Sequence, residues 1–244
     1  MKSRRIYLMG GLGNNLFQLD HLVKNEDGTT IDVVTNLVQS KLTSKLLGWT
    51  FHGSVINDLA YDSHFNFKRV SWGRLFLDLF GLFINKKLNT NLIQGVSWES
   101  ANLTRVNFGY FQYPRSRVHL KVLTIHKQPK DFVIHLRLTD SPLKSKNIKN
   151  VISLLSNLYC EKVTLVTDNT FEAKRILKNF ENIEYSNGTI IEDFMTLATC
   201  KRAFISNSTF SIYAVLQNEN IEEFYIDNLY AQKFFLNHEK MRIL

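Results

Sequence analysis

Five side chains that can hydrogen-bond an anion lie within six positions of the segment FISNSTFSIY, residues 204–213. They are Ser206, Asn207, Ser208, Thr209 and Ser211, and an apolar pattern resumes after them. Helix capping explains one such residue, because one Ser, Thr or Asn side chain accepts from the first N–H groups of a helix. The excess indicates a phosphate bound by hydroxyl groups at a helix N-terminus.

A cation that suits a diphosphate occurs in the segment HLRLTD, residues 135–140. Arg137 lies on the same face of a strand as His135, and its guanidinium offers forked donors with a permanent charge. His135 inside an apolar strand is more often a satisfied core histidine than a ligand. Asp140 fits a helix cap, or a partner that positions Arg137, better than it fits a catalytic base.

A glycine-rich segment, MGGLGNNLFQ, spans residues 9–18. Gly11 and Gly13 would let the backbone approach a ligand closely and direct N–H groups toward a phosphate. The segment lacks the Lys-Ser/Thr pair of a nucleotide-binding loop and the third glycine of a dinucleotide-binding motif. A simple tight turn is the alternative, but Asn14 and Asn15 add polar groups at the same place.

The elements that would position these groups alternate in the second half of the chain. Apolar runs predict strands at 132–137, 162–167, 183–186, 203–206 and 223–226, and amphipathic patterns predict helices at 150–159, 171–180, 190–200, 209–218 and 230–240. This alternation is typical of a parallel sheet covered by helices, in which ligands bind beyond the carboxyl ends of the strands. Arg137, Asp168 and residues 206–208 all fall at such ends.

The first half begins with the same pattern, a strand at 5–9, a helix from Asn15 to Lys24 and a strand at 30–35. Farther on, an apolar stripe at helical spacing covers residues 72–83. Burial in the core is the favoured interpretation of that stripe, and docking to a membrane surface is the alternative. The polar segment 126–131, which contains a proline, is the best linker candidate.

Composition and charge narrow the classes of partner. The 244 residues are 44% hydrophobic and 21% charged, as in ordinary globular proteins, and the net charge of +8 favours a polyanionic partner. Nucleic acid is disfavoured, because no basic helix with interleaved aromatics and no zinc-finger spacing occurs. Cys160 and Cys200 suggest neither a metal site nor a disulfide framework. Without a signal-peptide core or an apolar span, we expect a cytoplasmic protein.

Five motifs occur together in one order along the chain. They are GGLGNNLFQ near the N-terminus, FGYFQ at 108–112, HLRLTD, VTDN at 166–169, and EDFMTLATCKRAFISNSTFS at 192–211. In this order the sequence resembles the bacterial α-1,2-fucosyltransferases of glycosyltransferase family 11, as a divergent member. Leu138 replaces the second arginine of that family's HxRRGDY motif, Thr139 its glycine and Ser141 its tyrosine.

The resemblance implies an α/β fold of the GT-B glycosyltransferase class, with two Rossmann-like domains facing a cleft. Residues 1–128 would form the acceptor-side domain and residues 129–244 the domain that binds the nucleotide sugar, with the last helix packing back on the first domain. The activity would need no metal and no other cofactor.

The resemblance also implies roles for individual residues. Arg137 would neutralise the leaving diphosphate. The resemblance assigns no base for the acceptor proton, and Asp140 and Asp20 are both weak candidates from the sequence. The remaining donor-binding positions are His135 and Asp193 for the nucleotide, Ser208, Thr209 and Ser211 for the β-phosphate, and Gly11, Gly13 and Asn14 on the other side of the cleft. Asn207 is a further donor-binding position without an assigned part of the donor.

The implied function is an inverting transfer of L-fucose from GDP-fucose, in α-1,2 linkage, to an oligosaccharide acceptor. The acceptor would be a repeat unit of a surface polysaccharide or O-antigen, with a lipid-linked form and peripheral contact at the inner face of the membrane as alternatives. Another nucleotide sugar is the second interpretation, because Leu138 removes a family arginine. A nucleotide-binding module without catalysis is the third, and a nucleic-acid binder is the least favoured.

Overall fold

The computed structural model describes residues 4–7, 12–13, 15–17, 19, 31–34, 65–68, 71–73, 129–139, 143–158, 161–227 and 239–244. Several predicted features lie outside these residues, namely Gly11, Asn14, Asp20, Asp140, Cys160, most of the stripe at 72–83 and residues 230–238 of the last helix. The chain divides into two compact units, Met1–Tyr110 with Arg117–Lys121, and Phe111–Ser116 with Val122–Leu244. The boundary between residues 128 and 129 stays a prediction.

The first unit contains a parallel sheet with the strand order β1-β2-β3. The strands are β1 (Arg4–Tyr7), β2 (Ile31–Val34) and β3 (Phe65–Lys68). The sequence predicted β1 and β2 but not β3. Residues 12–13, 15–17 and 19 are helical, so helical structure is present before the predicted start at Asn15, and Gly13 is buried.

The second unit alternates strand and helix as the sequence predicts. Its elements are β4 (Phe132–Leu136), α1 (Lys144–Asn157), β5 (Val163–Thr167), α2 (Thr170–Ile176), β6 (Ile183–Tyr185), α3 (Ile190–Thr199), β7 (Arg202–Ile205), α4 (Thr209–Leu216), β8 (Glu223–Ile226) and β9 (Met241–Ile243). The strands form one parallel sheet with the order β6-β5-β4-β7-β8-β9. This order matches that of a doubly wound nucleotide-binding domain.

The two faces of β4 have different environments. The even-numbered side chains of β4 and of the segment after it pack in a buried cluster with residues of α1 and α2. The members are Phe132, Ile134, Leu136, Leu138, Val151, Leu154, Leu155, Ala173 and Leu177. Because side chains alternate along a strand, His135 and Arg137 lie on the opposite face. Leu138 is fully buried in this cluster.

The helix boundaries show which local signals the sequence carries. Asn169 accepts a hydrogen bond from the Glu172 backbone N–H at 3.0 Å, as its capping-box spacing predicts. Thr189 and Glu192 form a complete capping box on α3. In contrast, α1 begins at Lys144, six residues before the start predicted at residue 150. The sequence did not indicate this start, because the first turns are polar and no side chain caps the helix N-terminus.

The sheet of the second unit has one strand that the sequence did not predict. β9 extends the sheet at the end of the chain, where the sequence predicted only a helix, and it pairs with β8.

Cys200 is buried, and burial raises the pKa of its thiol to about 12, which fits an unreactive structural residue. Among the helices of the described segments, none is long and apolar enough to cross a bilayer.

The burial of Leu138 makes a prediction for stability. Leu138→Ala should lower the free energy of unfolding by about 2–5 kcal/mol, because it leaves a cavity in the cluster between the sheet and α1. Leu138→Met is the matched control and should cost less than about 1.5 kcal/mol. Urea unfolding measures both variants. An unchanged unfolding midpoint in Leu138→Ala would contradict a core position.

Candidate functional site

The strand order of the second unit places a topological switch point at the carboxyl ends of β4 and β7, and we call the space beyond these two strand ends the crevice. β4 pairs with β5 on one side and with β7 on the other, so the chain leaves these strands in opposite directions across the sheet. Doubly wound sheets bind ligands at this topological switch point. Arg137 follows β4 directly, and the polar junction at 206–211 follows β7.

The N-terminus of α4 lies at this crevice. Ser208 is the N-cap residue, and its Oγ accepts from the Phe210 N–H at 3.3 Å. The first helical hydrogen bond of α4 runs from the Ile212 N–H, which donates to the Ser208 carbonyl oxygen at 3.0 Å. The N–H groups of Thr209 and Ser211 have no acceptor in the described part of the chain, as expected for the first turn of a helix.

Arg137 is directed toward this helix N-terminus. It is half-buried, and its Nη1 donates to the Ser208 Oγ at 3.2 Å. Ser208 Oγ thus accepts from both Arg137 and Phe210, which uses both of its lone pairs and leaves its proton to be donated elsewhere. The guanidinium charge and the partial positive charge of the helix end therefore act on the same space.

Three of the five junction side chains also have structural partners. Ser206 Oγ lies 2.8 Å from His135 Nδ1, and the hydroxyl of Ser211 lies 3.2 Å from the carbonyl oxygens of both Ser206 and Ser208. Together with the Ser208 cap, these contacts fix the backbone between β7 and α4. Capping and loop closure thus account for Ser206, Ser208 and Ser211.

The other two junction residues retain unused hydrogen-bonding groups. Thr209 is half-buried at the first position of α4, and its hydroxyl has no hydrogen bond within the segments that the structure describes. Asn207 is 8% exposed, and its Nδ2 lies 3.5 Å from Asn147 Oδ1, whereas its Oδ1 has no partner among the residues that the structure describes. A buried polar atom without a partner is costly, so it marks a place where a ligand or water would bind.

His135 lies beneath the crevice as a neutral group. Burial, the largest cause, and the charge of Arg137 lower the pKa of His135 from 6.5 to about 4, while the charge of Asp168 opposes this shift. The His135 ring also packs against the Phe210 ring, with centroids 5.6 Å apart. Its observed contacts are those of the satisfied core histidine considered from sequence, and its role as a nucleotide contact stays a prediction.

Asp168 was predicted from the sequence to lie at this edge of the sheet, but it was given no role there. The structure shows that its carboxylate accepts hydrogen bonds from the segment after β4. Its Oδ1 accepts from the Leu138 N–H at 2.7 Å, and its Oδ2 accepts from the Thr139 N–H at 3.2 Å and from the Thr139 hydroxyl at 2.5 Å. Asp168 therefore holds the segment that carries Arg137. Sequence reasoning missed Asn147 of α1, whose side chain accepts from Asn207 Nδ2. No motif marks Asn147, because this contact depends on how α1 packs against the segment after β7.

The remaining predicted site residues are not all brought to this crevice. Asp193 lies in the first turn of α3 and accepts from the Ser186 hydroxyl at 2.5 Å, near the end of β6. Gly13 belongs to the first unit. Gly11, Asn14 and Asp140 lie outside the described residues. The donor-binding roles of Asp193 and the glycine segment, and the catalytic role of Asp140, stay predictions.

A cavity of about 440 Å³ lies at the opposite, amino-terminal edge of the same sheet. It is lined by Asp131, Glu161, Lys162, Lys201, Arg202 and Glu222. Lys201 pairs with Asp131 at 2.8 Å and Arg202 pairs with Glu161. Because opposite charges are already paired there, this cavity is less suited to an anionic ligand than the crevice above α4.

Comparisons with solved structures agree with this architecture. The fucosyltransferase NodZ from Bradyrhizobium matches with a TM-score of 0.53 and 13% sequence identity, over 94% of this chain and 96% of that chain. Structures of NodZ α-1,6-fucosyltransferase co-crystallised with GDP or soaked with GDP-fucose match with TM-scores of 0.51 and 0.50, at 13% and 14% identity and the same coverage. No family model and no curated protein matches the sequence.

At such low identity the likeness concerns the fold alone. It confirms the predicted α/β fold of the GT-B glycosyltransferase class. It does not extend to glycosyltransferase family 11, which stays a resemblance carried by the sequence motifs.

The low pKa of His135 predicts a pH dependence of stability. Its folded-state pKa is depressed, so its contribution is complete above pH 6.5 and is lost as the pH falls toward about 4. A shift of this size corresponds to about 3 kcal/mol across that range. We expect the unfolding free energy of the wild type to fall by roughly this amount more than that of His135→Gln. Chemical unfolding at pH 7 and pH 4 gives the comparison, and parallel curves would contradict a neutral buried His135.

Proposed function

We propose that the protein is a glycosyltransferase that uses a nucleoside-diphosphate sugar, with the diphosphate bound between Arg137 and the N-terminus of α4. The observation that carries this proposal is the convergence of one guanidinium with the N–H groups of Thr209 and Ser211, for which the described residues offer no acceptor. Both kinds of donor are favoured by phosphate oxygens. The convergence lies at the switch point where doubly wound sheets bind nucleotides.

The donor geometry fits the end of a diphosphate better than a neutral ligand. The Thr209 hydroxyl and the Ser208 proton add two neutral donors to the charged guanidinium and the backbone N–H groups. An anion with several oxygens on one phosphorus can accept from all of them at once. The base and ribose would extend along the carboxyl edge of the sheet, and we assign their contacts to His135, Asn207 and Asp193 as predictions.

The proposed chemistry is a displacement at the anomeric carbon. The acceptor hydroxyl oxygen forms a bond to that carbon while the bond from the carbon to the phosphate oxygen breaks, and the electron pair stays on the diphosphate. Arg137 and the helix end would stabilise the charge that develops on this leaving group. The acceptor proton passes to a base, for which Asp140 is the proposed residue. In-line attack inverts the anomeric configuration.

GDP-fucose is the proposed donor, with α-1,2 linkage to an oligosaccharide of a surface polysaccharide or O-antigen. Two observations support a GDP-sugar, the motif order described above and the fold likeness to NodZ structures obtained with GDP and GDP-fucose. NodZ is described as an α-1,6-fucosyltransferase, so linkage rests on the sequence motifs alone. We propose a protein of the cytoplasm that meets a lipid-linked acceptor at the inner face of the membrane.

Another donor sugar is the second candidate, and the environment of Leu138 favours it. Leu138 is 0% exposed and packs in the core, so the position of the second family arginine provides no cation in this chain. A donor that needs less charge compensation near its sugar would fit such a site. The same observation is consistent with a module that binds nucleotide without turnover.

A donor panel in excess EDTA tests the proposed reaction. We expect transfer from GDP-fucose, and retention of activity in the chelator, because Arg137 and the helix end replace the divalent ion. Mass spectrometry of a galactose-terminated oligosaccharide acceptor detects the product. Turnover of UDP-sugars alone would reject the fucose donor. Loss of activity in EDTA with recovery on adding Mn²⁺ would reject metal independence.

Arg137 provides the sharpest mutational test. Arg137→Ala should reduce transfer by about 100-fold or more, because a preorganised group that stabilises the leaving group is lost. Its melting temperature should stay close to that of the wild type, since the side chain is half-buried and the Ser208 cap remains. Arg137→Lys keeps the charge without the fork and should have intermediate activity. Unchanged turnover in Arg137→Ala would refute the leaving-group role.

A further inference from the structure

Asp168 lies immediately after β5 and makes three hydrogen bonds to the segment that follows β4. The donors are the Leu138 N–H, the Thr139 N–H and the Thr139 hydroxyl, at 2.7, 3.2 and 2.5 Å. The register between β4 and β5 ends at the pair Leu136 and Thr167. The carboxylate thus continues the connection between the two strands beyond the end of their backbone ladder.

The anchored segment is the one that carries Arg137. On its N-terminal side Arg137 is joined to the buried strand β4, and on its C-terminal side Leu138 is inserted in the core while its N–H is bonded to Asp168. The backbone of Arg137 is therefore restrained from both directions. A long side chain that starts from a restrained backbone loses less freedom when it binds its target.

We propose that Asp168 is a positioning residue, which holds residues 137–139 so that the Arg137 guanidinium stays directed at Ser208 and the N-terminus of α4. This inference rests on the proposed function for its consequence in diphosphate binding. The Asp168 contacts themselves do not depend on it. The carboxylate acts through the backbone of its neighbours and does not contact the reacting atoms.

The chemistry of a carboxylate suits this task. Its two oxygens accept from several donors at once, and bonds to an ionised acceptor are stronger than those between neutral groups. Because both oxygens of Asp168 accept hydrogen bonds from this segment, we assign it no role as the base that takes the acceptor proton. The bonds to N–H groups also reduce the repulsion between this carboxylate and a nearby diphosphate.

Three variants separate positioning from a general loss of stability. Asp168→Ala removes all three bonds, and Asp168→Asn retains an acceptor for Leu138 but turns an NH₂ group toward the Thr139 N–H. Asn169→Ala is the matched control, because it removes the N-cap of α2 from the adjacent residue and leaves the Asp168 contacts in place. Titration calorimetry with GDP and with inorganic pyrophosphate measures affinity, and NMR measures exchange of the Leu138 and Thr139 amides.

We expect Asp168→Ala to weaken the binding of both probes by about tenfold, and Asp168→Asn by less, with faster exchange of both amides. Asn169→Ala should lower the melting temperature and leave affinity unchanged. In an Arg137→Ala background, Asp168→Ala should have no further effect on affinity, because a residue that acts through Arg137 has nothing left to position. Wild-type affinity in Asp168→Ala, or a full additional loss in that background, would overturn the proposal.

One readout distinguishes this proposal from the proposed function. The Nε–H signal of Arg137, identified by its absence in Arg137→Ala, reports the order of the guanidinium without any nucleotide. If the wild type binds neither GDP nor pyrophosphate, the proposed function fails. A sharp, slowly exchanging Nε–H signal that is lost in Asp168→Ala would still support positioning. A signal that is the same in both proteins would overturn it.

Discussion

Backbone N–H groups at the start of α4 that find no acceptor among the described residues are the constraint on which the candidate site depends. Every helix begins with such groups, and in this chain the Ser208 hydroxyl takes only that of Phe210. The strand order places this helix end beside the segment after β4, which supplies a guanidinium instead of an acceptor. Two sources of positive potential, the guanidinium and the helix end, therefore act on the same space, and this favours binding of an anion.

The surrounding residues keep this arrangement in place. Ser206 and Ser211 close the turn from β7 to α4, His135 supports it from below in its neutral form, and Asp168 fixes the chain beside Arg137. The positively charged groups are thus preorganised before any ligand arrives, which is what electrostatic stabilisation of a leaving group requires. The cost is a buried amide oxygen on Asn207, which accepts no hydrogen bond from the described part of the chain.

Much of this could be predicted from the sequence, because the relevant signals are local. Alternating apolar runs predicted the strands β4 to β8, and capping residues predicted the start of α2. The alternation of strand and helix predicted a parallel sheet but not the order of its strands. The start of α1 was missed because the residue before Lys144 makes no capping hydrogen bond and residues 144–149 are mostly polar. β3 and β9 were missed because short strands gain their stability from pairing. The contact between Asn147 and Asn207, and the burial of Leu138, depend on packing between distant segments.

The most direct test of this account is a crystal structure of the protein with GDP. We predict that the β-phosphate lies at hydrogen-bonding distance from the N–H groups of Thr209 and Ser211 and from the Arg137 guanidinium. A diphosphate bound elsewhere on the chain, or a crevice above α4 that stays without nucleotide at saturating GDP, would contradict it.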